Sequence, residues 1–292
     1  DRISLSDIEK VILIIGKWLV FSSLVSYVIG LYYINDASFN LADIPTLYNS
    51  DKVNKVFGVY LSGGYLPRLS GFADSPNNFV YYFTPLMILF FFKKKRLWSL
   101  LTCILLIATF SGTFYVILSM LIFVYLLMSL QLFKVLLMLS ISIILLLNVV
   151  NSSDMILEFF IYRMDRMLTG SGRFELWGLS LDYIYDKPIF GYGLNQSREV
   201  LSSYRNIQST HNTFLEAWIF SGLGAVLLYS LFYVYILKSS LQVLKVSGVV
   251  IPLFVFISFS VFIMGNNSLH IDPYYYIIFY IYASKIGRHV SK

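Results

Sequence analysis

Charged side chains are scarce in this chain: only 13% of its 292 residues are Asp, Glu, Lys or Arg. Soluble domains carry about 25% charge, so the composition argues against an ordinary soluble fold. From Leu97 to Phe133 no charged residue occurs over 37 positions. A membrane-spanning helix needs about 20 mainly apolar residues, so this run is long enough for two. The shortage of charge therefore predicts a protein that crosses a membrane several times.

Cysteine and histidine are also rare. Cys103 is the single cysteine and lies inside an apolar run, which excludes a disulfide framework and a cysteine-based zinc site. The sequence has no Asp-x-Asp pair, no His/Cys ligand spacing, no Walker loop and no Gly-x-Ser-x-Gly elbow. We therefore expect no metal and no cofactor. A site that handles phosphate would have to use arginines instead.

Eight segments are apolar enough to be membrane spans, which predicts an all-α fold: a polytopic integral membrane helical bundle with two long outer-face loops. The 23 tyrosines suit the headgroup region, where one end of the ring is apolar and the other wet. The fourteen-residue second segment is short for a span and needs flanking residues or a locally thinned bilayer. The predicted spans are Val11–Tyr33, Phe79–Phe92, Leu97–Phe110, Thr113–Leu130, Val135–Val150, Asn212–Leu237, Val249–Met264 and Tyr274–Ile286.

Positive charge is distributed unevenly between the two sides that eight spans create. Segments on the side of both termini hold 12 Lys or Arg in 38 residues, whereas the longer segments opposite hold 9. The positive-inside rule therefore predicts cytoplasmic termini. It places loops 34–78 and 151–211 outside, together with the turn Thr109–Thr113, and we expect residues 1–292 to form a single transmembrane domain. Because the basic residues flank spans, the net charge of +6 indicates no nucleic-acid partner. The first residue is Asp rather than Met, so we expect an N-terminal portion before it.

The longest polar interval runs from Thr169 to Gly224, and His211 stands where it gives way to a new apolar span. An imidazole with a pKa near 6.5 can accept a proton from a hydroxyl. An isolated histidine at this position is more often an interfacial anchor, so both interpretations stay open here. Glu216 lies within the same span, where a carboxylate usually faces a cavity or a partner. Gly222 and Gly224 predict close approach of a neighbouring helix.

Arginines supply the candidate phosphate ligands, because the guanidinium fork matches phosphate oxygens. Arg173 follows glycines that would let a ligand approach the backbone. Arg163 and Arg166 lie one turn apart if their segment is helical, although such a patch more often faces solvent or headgroups. Arg68 precedes a Gly/Pro/Asn turn in the first outer loop and, taken alone, would be an ordinary loop residue.

Four groups of motifs follow one another in a characteristic order: Arg68-x-x-Gly71-Phe72 with Pro76-Asn77; Gly172-Arg173-x-x-x-Trp177; Pro188-x-x-Gly191-x-Gly193; and His211-Asn212-x-Phe214-Leu215 with Gly222-x-Gly224. This order resembles the O-antigen ligase and polymerase superfamily of bacterial membrane glycosyltransferases. The resemblance is strongest over Gly172–Gly224 and weaker over Arg68–Asn77.

The resemblance implies a metal-independent glycosyltransferase that takes a glycan from undecaprenyl diphosphate at the outer face of the bacterial inner membrane. It assigns Arg68 and Arg173 to the diphosphate leaving group and His211 to the acceptor hydroxyl. One departure is Gly112, where many relatives have an arginine, which leaves open whether a third cation comes from Arg163, Arg166 or Arg205. The other is that relatives usually have further helices before the first loop, so the resemblance implies that N-terminal helices precede this sequence. Further substrate-binding residues are predicted within the motifs and in the preceding basic patch: Arg163, Arg166, Trp177, Tyr192, Gly193, Asn212, Glu216 and Asn77.

Three functions remain open from the sequence. The first is a polymerase that extends lipid-linked O-antigen, capsule or exopolysaccharide repeat units, with a chain-length regulator as a further expected partner. The second is a ligase that moves finished glycan to a lipid core, as in lipopolysaccharide, or to protein. The third, from another class, is a transporter or flippase of lipid-linked oligosaccharide. The nearly charge-free spans favour an enzyme over a transporter, since a transport path would need polar residues through the spans.

Overall fold

The computed structural model describes residues 5–35, 55–60, 67–129, 173–193 and 210–265, and most of these residues are helical. The described strands are β1 (Lys55–Val56), β2 (Val59–Tyr60) and β3 (Arg68–Leu69). The described helices are α1 (Leu5–Asn35), α2 (Pro76–Phe92), α3 (Arg96–Ala108), α4 (Gly112–Ser129), α5 (Arg173–Asp186), α6 (Thr213–Ser247) and α7 (Ile251–Gly265).

Six of the eight predicted spans coincide with helices, namely α1, α2, α3, α4, α6 and α7. The other two, Val135–Val150 and Tyr274–Ile286, lie outside the described residues. Within α1, the segment Glu9–Ile34 is long and apolar enough to cross a membrane, and so is α6. Large apolar side chains such as Trp18 and Tyr32 stay exposed along α1, as expected where a helix meets lipid. The helices fit a membrane protein, while the count of eight crossings stays a prediction.

Three local features differ from the sequence-based expectations. Helix α6 does not end at Leu237 but continues through Lys238 to Ser247, because good helix formers such as Leu241 and Leu244 follow. Helix α5 lies within the segment that was expected to be a polar loop. Strands β1, β2 and β3 form an antiparallel sheet within the first predicted outer loop, for which no strands were predicted.

The chain divides into two compact units. The first unit comprises Asp1–Tyr115, Tyr233–Phe262 and Asp272–Lys292, and the second comprises Val116–Phe232 and Ile263–Ile271. The single transmembrane domain stays a prediction.

Helix α2 forms the core of the first unit. It begins at a conventional cap: the Ser75 hydroxyl accepts a hydrogen bond from the Asn78 amide at 3.2 Å, and Pro76 occupies the first turn. Its rings stack internally, with the centroids of Phe79 and Phe83 3.8 Å apart, and Tyr81 packs against Phe262 of α7 at 4.6 Å. The protein therefore buries this short helix on nearly every side, so its length need not match a bilayer.

Candidate active site

The predicted site residues fall into both units. The first group surrounds Arg68, which lies in β3 opposite Tyr60 of β2. The half-buried guanidinium donates a hydrogen bond from Nε to the carbonyl oxygen of Thr109 at 2.8 Å. This bond uses the Nε–H donor of Arg68 and restrains the plane of its guanidinium group.

A tight hairpin fixes the position of β3. Phe57 and Gly58 both have positive φ, 42° and 84°, as a two-residue type I′ hairpin requires. The carbonyl oxygen of Gly58 then accepts hydrogen bonds from the amides of Ser70 and Gly71, at 2.8 and 3.0 Å. The Ser26 hydroxyl on α1 donates to the carbonyl oxygen of Phe57. The strand that carries Arg68 is thereby attached to a candidate membrane helix.

The turn between α3 and α4 brings Asn77 into the same group. Ser111 donates from its hydroxyl to Oδ1 of Asn77 at 2.6 Å. Because the carbonyl oxygen of Thr109 in this turn also accepts from Arg68, the turn holds two residues that precede their partners in it by 41 and 34 positions. Gly112, which stands where many relatives have an arginine, is the first residue of α4.

The second group surrounds Arg173 and His211. Arg173 is the first residue of α5, and His211 lies two residues before α6 begins. The indole Nε1 of Trp177, in the second turn of α5, donates to the carbonyl oxygen of Thr210 at 3.1 Å. This hydrogen bond connects the start of α5 to the turn that carries His211. Amide groups at helix N-termini and arginine side chains both favour anions, so this group is suited to a phosphate.

The turn at His211 is constrained on both sides. The buried Thr210 hydroxyl accepts from the amide of Asn212 at 3.2 Å. Asn212 caps α6, because its Oδ1 accepts from the amides of Phe214 and Leu215 at 3.0 and 3.3 Å. Between them His211 adopts a φ of 54°. This left-handed conformation costs a non-glycine residue roughly 1–2 kcal/mol, so the surrounding bonds must hold it in place.

His211 also has a perturbed protonation equilibrium. The residue is exposed by surface area, yet the protein atoms around the imidazole disfavour its charged form and lower its pKa below the usual 6.5. The positive charge of Arg173 lowers the pKa of His211 further. Both effects disfavour the imidazolium, so the ring is neutral at pH 7 and able to accept a proton.

The Pro-x-x-Gly-x-Gly motif supplies hydrogen-bond partners for α6 where that helix is interrupted. At Gly222 the chain leaves helical geometry, with φ 73° and ψ −166°, which interrupts the hydrogen bonds of α6. The freed carbonyl oxygens of Ile219 and Phe220 accept from the amides of Tyr192 and Gly193 at 2.7 and 2.9 Å. In return, the amide of Leu223 donates to the carbonyl oxygen of Pro188 at 3.0 Å. Backbone groups of the motif thus take the place of the helical hydrogen-bond partners that α6 lacks at the break.

These backbone hydrogen bonds to α6 give Tyr192 and Gly193 a structural role. The phenol of Tyr192 donates to Oδ2 of Asp186 at 2.6 Å, and this bond, more than burial, raises the pKa of Tyr192 to about 12. The ammonium of Lys187 lies 4.5 Å from the centre of the same ring. Gly193 has a φ of 81° and open space around its Cα. Substrate binding by Tyr192 and Gly193 stays a prediction, whereas the hydrogen bonds of their amides to α6 are observed.

Glu216 lies in the first turn of α6 and is fully buried. A negative side chain is favourable at this end of a helix dipole.

Two residues with positioning contacts were missed by sequence reasoning. Thr210 accepts from Trp177, and the indole Nε1 of Trp218 donates to the carbonyl oxygen of Pro188 at 2.9 Å. Only their position beside the motifs hinted at these contacts. Arg163, Arg166 and Arg205 lie outside the described residues.

Comparison with known families adds one finding. Residues 86–230 match the family model described as O-antigen ligase. The matched region contains the second group, with Arg173 and His211, whereas Arg68 and Asn77 precede it. No curated protein and no solved structure matches the chain significantly.

Proposed function

The match over residues 86–230 makes this chain a member of the O-antigen ligase family, and on that premise we propose that it is a polymerase of lipid-linked glycans. It joins undecaprenyl-diphosphate-linked oligosaccharide repeat units into O-antigen, capsule or exopolysaccharide. The family consists of bacterial membrane proteins, in agreement with the long apolar helices α1 and α6. The proposed location of the reaction is the outer face of the inner membrane.

The juxtaposition of Arg173 and His211 is the observation that carries this proposal. One residue begins α5, the other stands just before α6, and the Trp177–Thr210 hydrogen bond joins the two segments. The charge of Arg173 also reaches the imidazole, since it contributes to the lowered pKa of His211. A transfer from a diphosphate to a hydroxyl needs a cation for the leaving group and a neutral base for the hydroxyl, and Arg173 and His211 would supply them.

The proposed step forms one glycosidic bond and breaks one bond to phosphate. The acceptor hydroxyl oxygen bonds to the anomeric carbon of the donor sugar as the bond from that carbon to the diphosphate oxygen breaks. Undecaprenyl diphosphate leaves with the bonding electron pair, and the hydroxyl proton passes to the imidazole of His211.

Arginine would stabilise the departing diphosphate without a metal. Negative charge grows on the bridging oxygen as its bond to carbon breaks, and preorganised donors lower the energy of that state. Loss of one such donor commonly costs about 3–4 kcal/mol in the barrier, or roughly 10²–10³ in rate. We propose Arg173 for this role. The resemblance assigns the same role to Arg68, whose Nε–H donates to the carbonyl oxygen of Thr109.

Ligation is the second candidate, because the matched family model is described as a ligase. A ligase would use the same donor and the same leaving group, but a lipid core or a protein as acceptor. Transport of the lipid-linked glycan is the alternative from another class. Within the described helices only Lys17 and Glu216 are charged inside predicted spans, which gives little support for a charged path.

A reaction in detergent separates the three candidates. The purified full chain is mixed with a synthetic undecaprenyl-diphosphate-linked repeat unit, and products are resolved by mass spectrometry. A ladder of repeat units indicates a polymerase, whereas product only after addition of lipid core indicates a ligase. A detergent micelle does not separate two aqueous compartments, so transport cannot be observed and a transporter would give neither product.

The same assay tests the residues. We expect Arg173→Ala and His211→Ala to lose the ladder, while Arg96→Ala, which removes an exposed arginine at the start of α3, keeps it. Wild-type ladders from both site variants would refute the assignment of the site.

A further inference from the structure

Helix α5 has three distinct faces at about 100° per residue. One face is buried within the second unit and consists of Leu176, Ser180 and Ile184. A second face is acidic and consists of Glu175, Asp182 and Asp186. The third face is apolar yet exposed: Phe174 is 60% exposed, Leu181 55% and Tyr185 89%. A helix that only covers a core needs one apolar face, so the exposed one calls for a partner.

The following turn extends this exposed apolar face towards α6. Ile189 is 62% exposed and Phe190 85%. The backbone of the turn is bound to the break in α6, where the Leu223 amide donates to the carbonyl oxygens of Pro188 and Ile189 at 3.0 and 3.2 Å. From that point α6 itself exposes a run of apolar side chains: Leu223, Leu227, Leu228, Leu231 and Phe232. The exposed side chains of the turn therefore lie next to the surface that a membrane-crossing α6 presents to lipid.

We propose that Phe174, Leu181, Tyr185, Ile189 and Phe190, which we name the interfacial patch, insert into the bilayer interface and have lipid acyl chains as their partner. Amphipathic helices of this kind place their apolar face about 5–10 Å into the boundary between headgroups and acyl chains. Tyr185 suits that depth because its ring is apolar and its hydroxyl can remain wet. The acidic face can stay in water, where three carboxylates avoid the cost of entering hydrocarbon.

The interfacial patch would hold the reactive group at the level of the headgroups. Arg173 begins the same helix, and the Trp177–Thr210 bond carries the restraint to His211. This consequence rests on the proposed function, because it matters only if the substrate is a lipid diphosphate. Insertion of the patch itself depends only on the membrane location of the chain.

Fluorescence quenching tests the insertion directly. The single cysteine is replaced, Cys103→Ser, and Tyr185→Cys, Phe190→Cys or Asp182→Cys is labelled with an environment-sensitive dye. Asp182 is the matched control, since it is exposed on the acidic face of the same helix. The full chain is placed in nanodiscs of phosphatidylcholine with brominated or ordinary acyl chains and without glycan donor, and iodide serves as the aqueous quencher.

We expect brominated acyl chains to reduce emission at positions 185 and 190 but not at 182, and iodide to show the reverse. Quenching of all three labels by iodide alone would overturn the proposal and show a water-exposed patch. Protection of positions 185 and 190 from both quenchers would also overturn it and show that protein covers the patch. Glycosyl transfer is not part of the readout, so a failed insertion is distinguishable from a failed function.

Discussion

Gly191 and Gly222 pack backbone to backbone. A Cβ atom on Gly191 would lie 2.8 Å from the amide nitrogen of Gly222, and one on Gly222 would lie 2.0 Å from the carbonyl oxygen of Ile189. Both glycines have positive φ, 67° and 73°. Neither position therefore has room for a side chain, and the contact lets the Pro-x-x-Gly-x-Gly turn satisfy the broken helix.

Gly222→Ala should destabilise the protein most within a graded series of glycine substitutions. Its Cβ would meet rigid backbone, and its φ is unfavourable, so we expect unfolding at clearly lower temperature in detergent. Gly193→Ala suffers only the positive φ, at roughly 1–2 kcal/mol, because its surroundings are open. Gly224→Ala, in a helical segment, meets no atom of the described residues within 4 Å and should be neutral or slightly stabilising. Equal thermal shifts for positions 222 and 224 would contradict the packing.

Arg173→Lys should lose most of the activity of the wild type, because a point charge cannot reproduce the planar fork that binds two phosphate oxygens. The measurement is kcat with lipid-linked donor in detergent, compared with Arg173→Ala. We expect both variants to fall by roughly 10²–10³, with lysine the less impaired. Accumulation and melting temperature should match the wild type. A fully active lysine variant would show that Arg173 contributes charge alone.

The acidic limb of the pH profile should follow His211. Since burial and then Arg173 lower the pKa of His211 below 6.5, the neutral ring predominates above that pH. Activity that needs the neutral ring therefore falls as the pH drops through this lowered pKa. Arg173→Gln removes a positive charge and should raise the pKa of His211. NMR titration of the histidine ring protons, with His211→Gln to assign the signal among 3 histidines, measures this shift. A pKa of His211 that is unchanged or lower in Arg173→Gln would show that the charge does not reach the imidazole.

Trp177→Phe should separate positioning from binding. It keeps the ring but removes the bond from Nε1 to Thr210, which is worth about 0.5–1.5 kcal/mol in stability. Because that bond connects α5 to the turn of His211, we expect kcat to fall more than KM rises. Trp18→Phe, at an exposed position on α1, is the matched control. A rise in KM with kcat unchanged would instead make Trp177 a substrate contact.

Asn212 offers a test between its cap and a substrate contact. Asn212→Ala removes the acceptor for the Phe214 and Leu215 amides and should cost about 1 kcal/mol. Asn212→Asp keeps a capping oxygen and adds a charge that the helix dipole favours. If the cap is the essential role, the aspartate variant retains activity and stability. Stability without activity in Asn212→Asp would show that the amide N–H groups meet substrate.

Composition alone determined that the chain is mainly helical and where many helices lie. Uninterrupted apolar runs with few charges predicted α2, α3, α4 and α7 to within a few residues, because a run of that kind has few other stable arrangements. The ordered motifs also identified the family that the match over residues 86–230 supports. The sequence thus indicated Arg173 and His211 as partners, although nothing in the spacing between them required it.

Only the tertiary structure decided how the motifs are used. The break at Gly222 depends on hydrogen bonds donated by the amides of residues 192 and 193 and on one accepted by the carbonyl oxygen of residue 188. These residues lie roughly 30 positions away, so no local pattern reveals the bonds. The left-handed His211 is held by Thr210 and Asn212, and the indole of Trp177 reaches that turn across 33 residues. Apolar runs locate helices because burial depends on each residue's own chemistry. The turns at Gly191 and His211 depend on backbone groups whose partners come together only after the chain has folded.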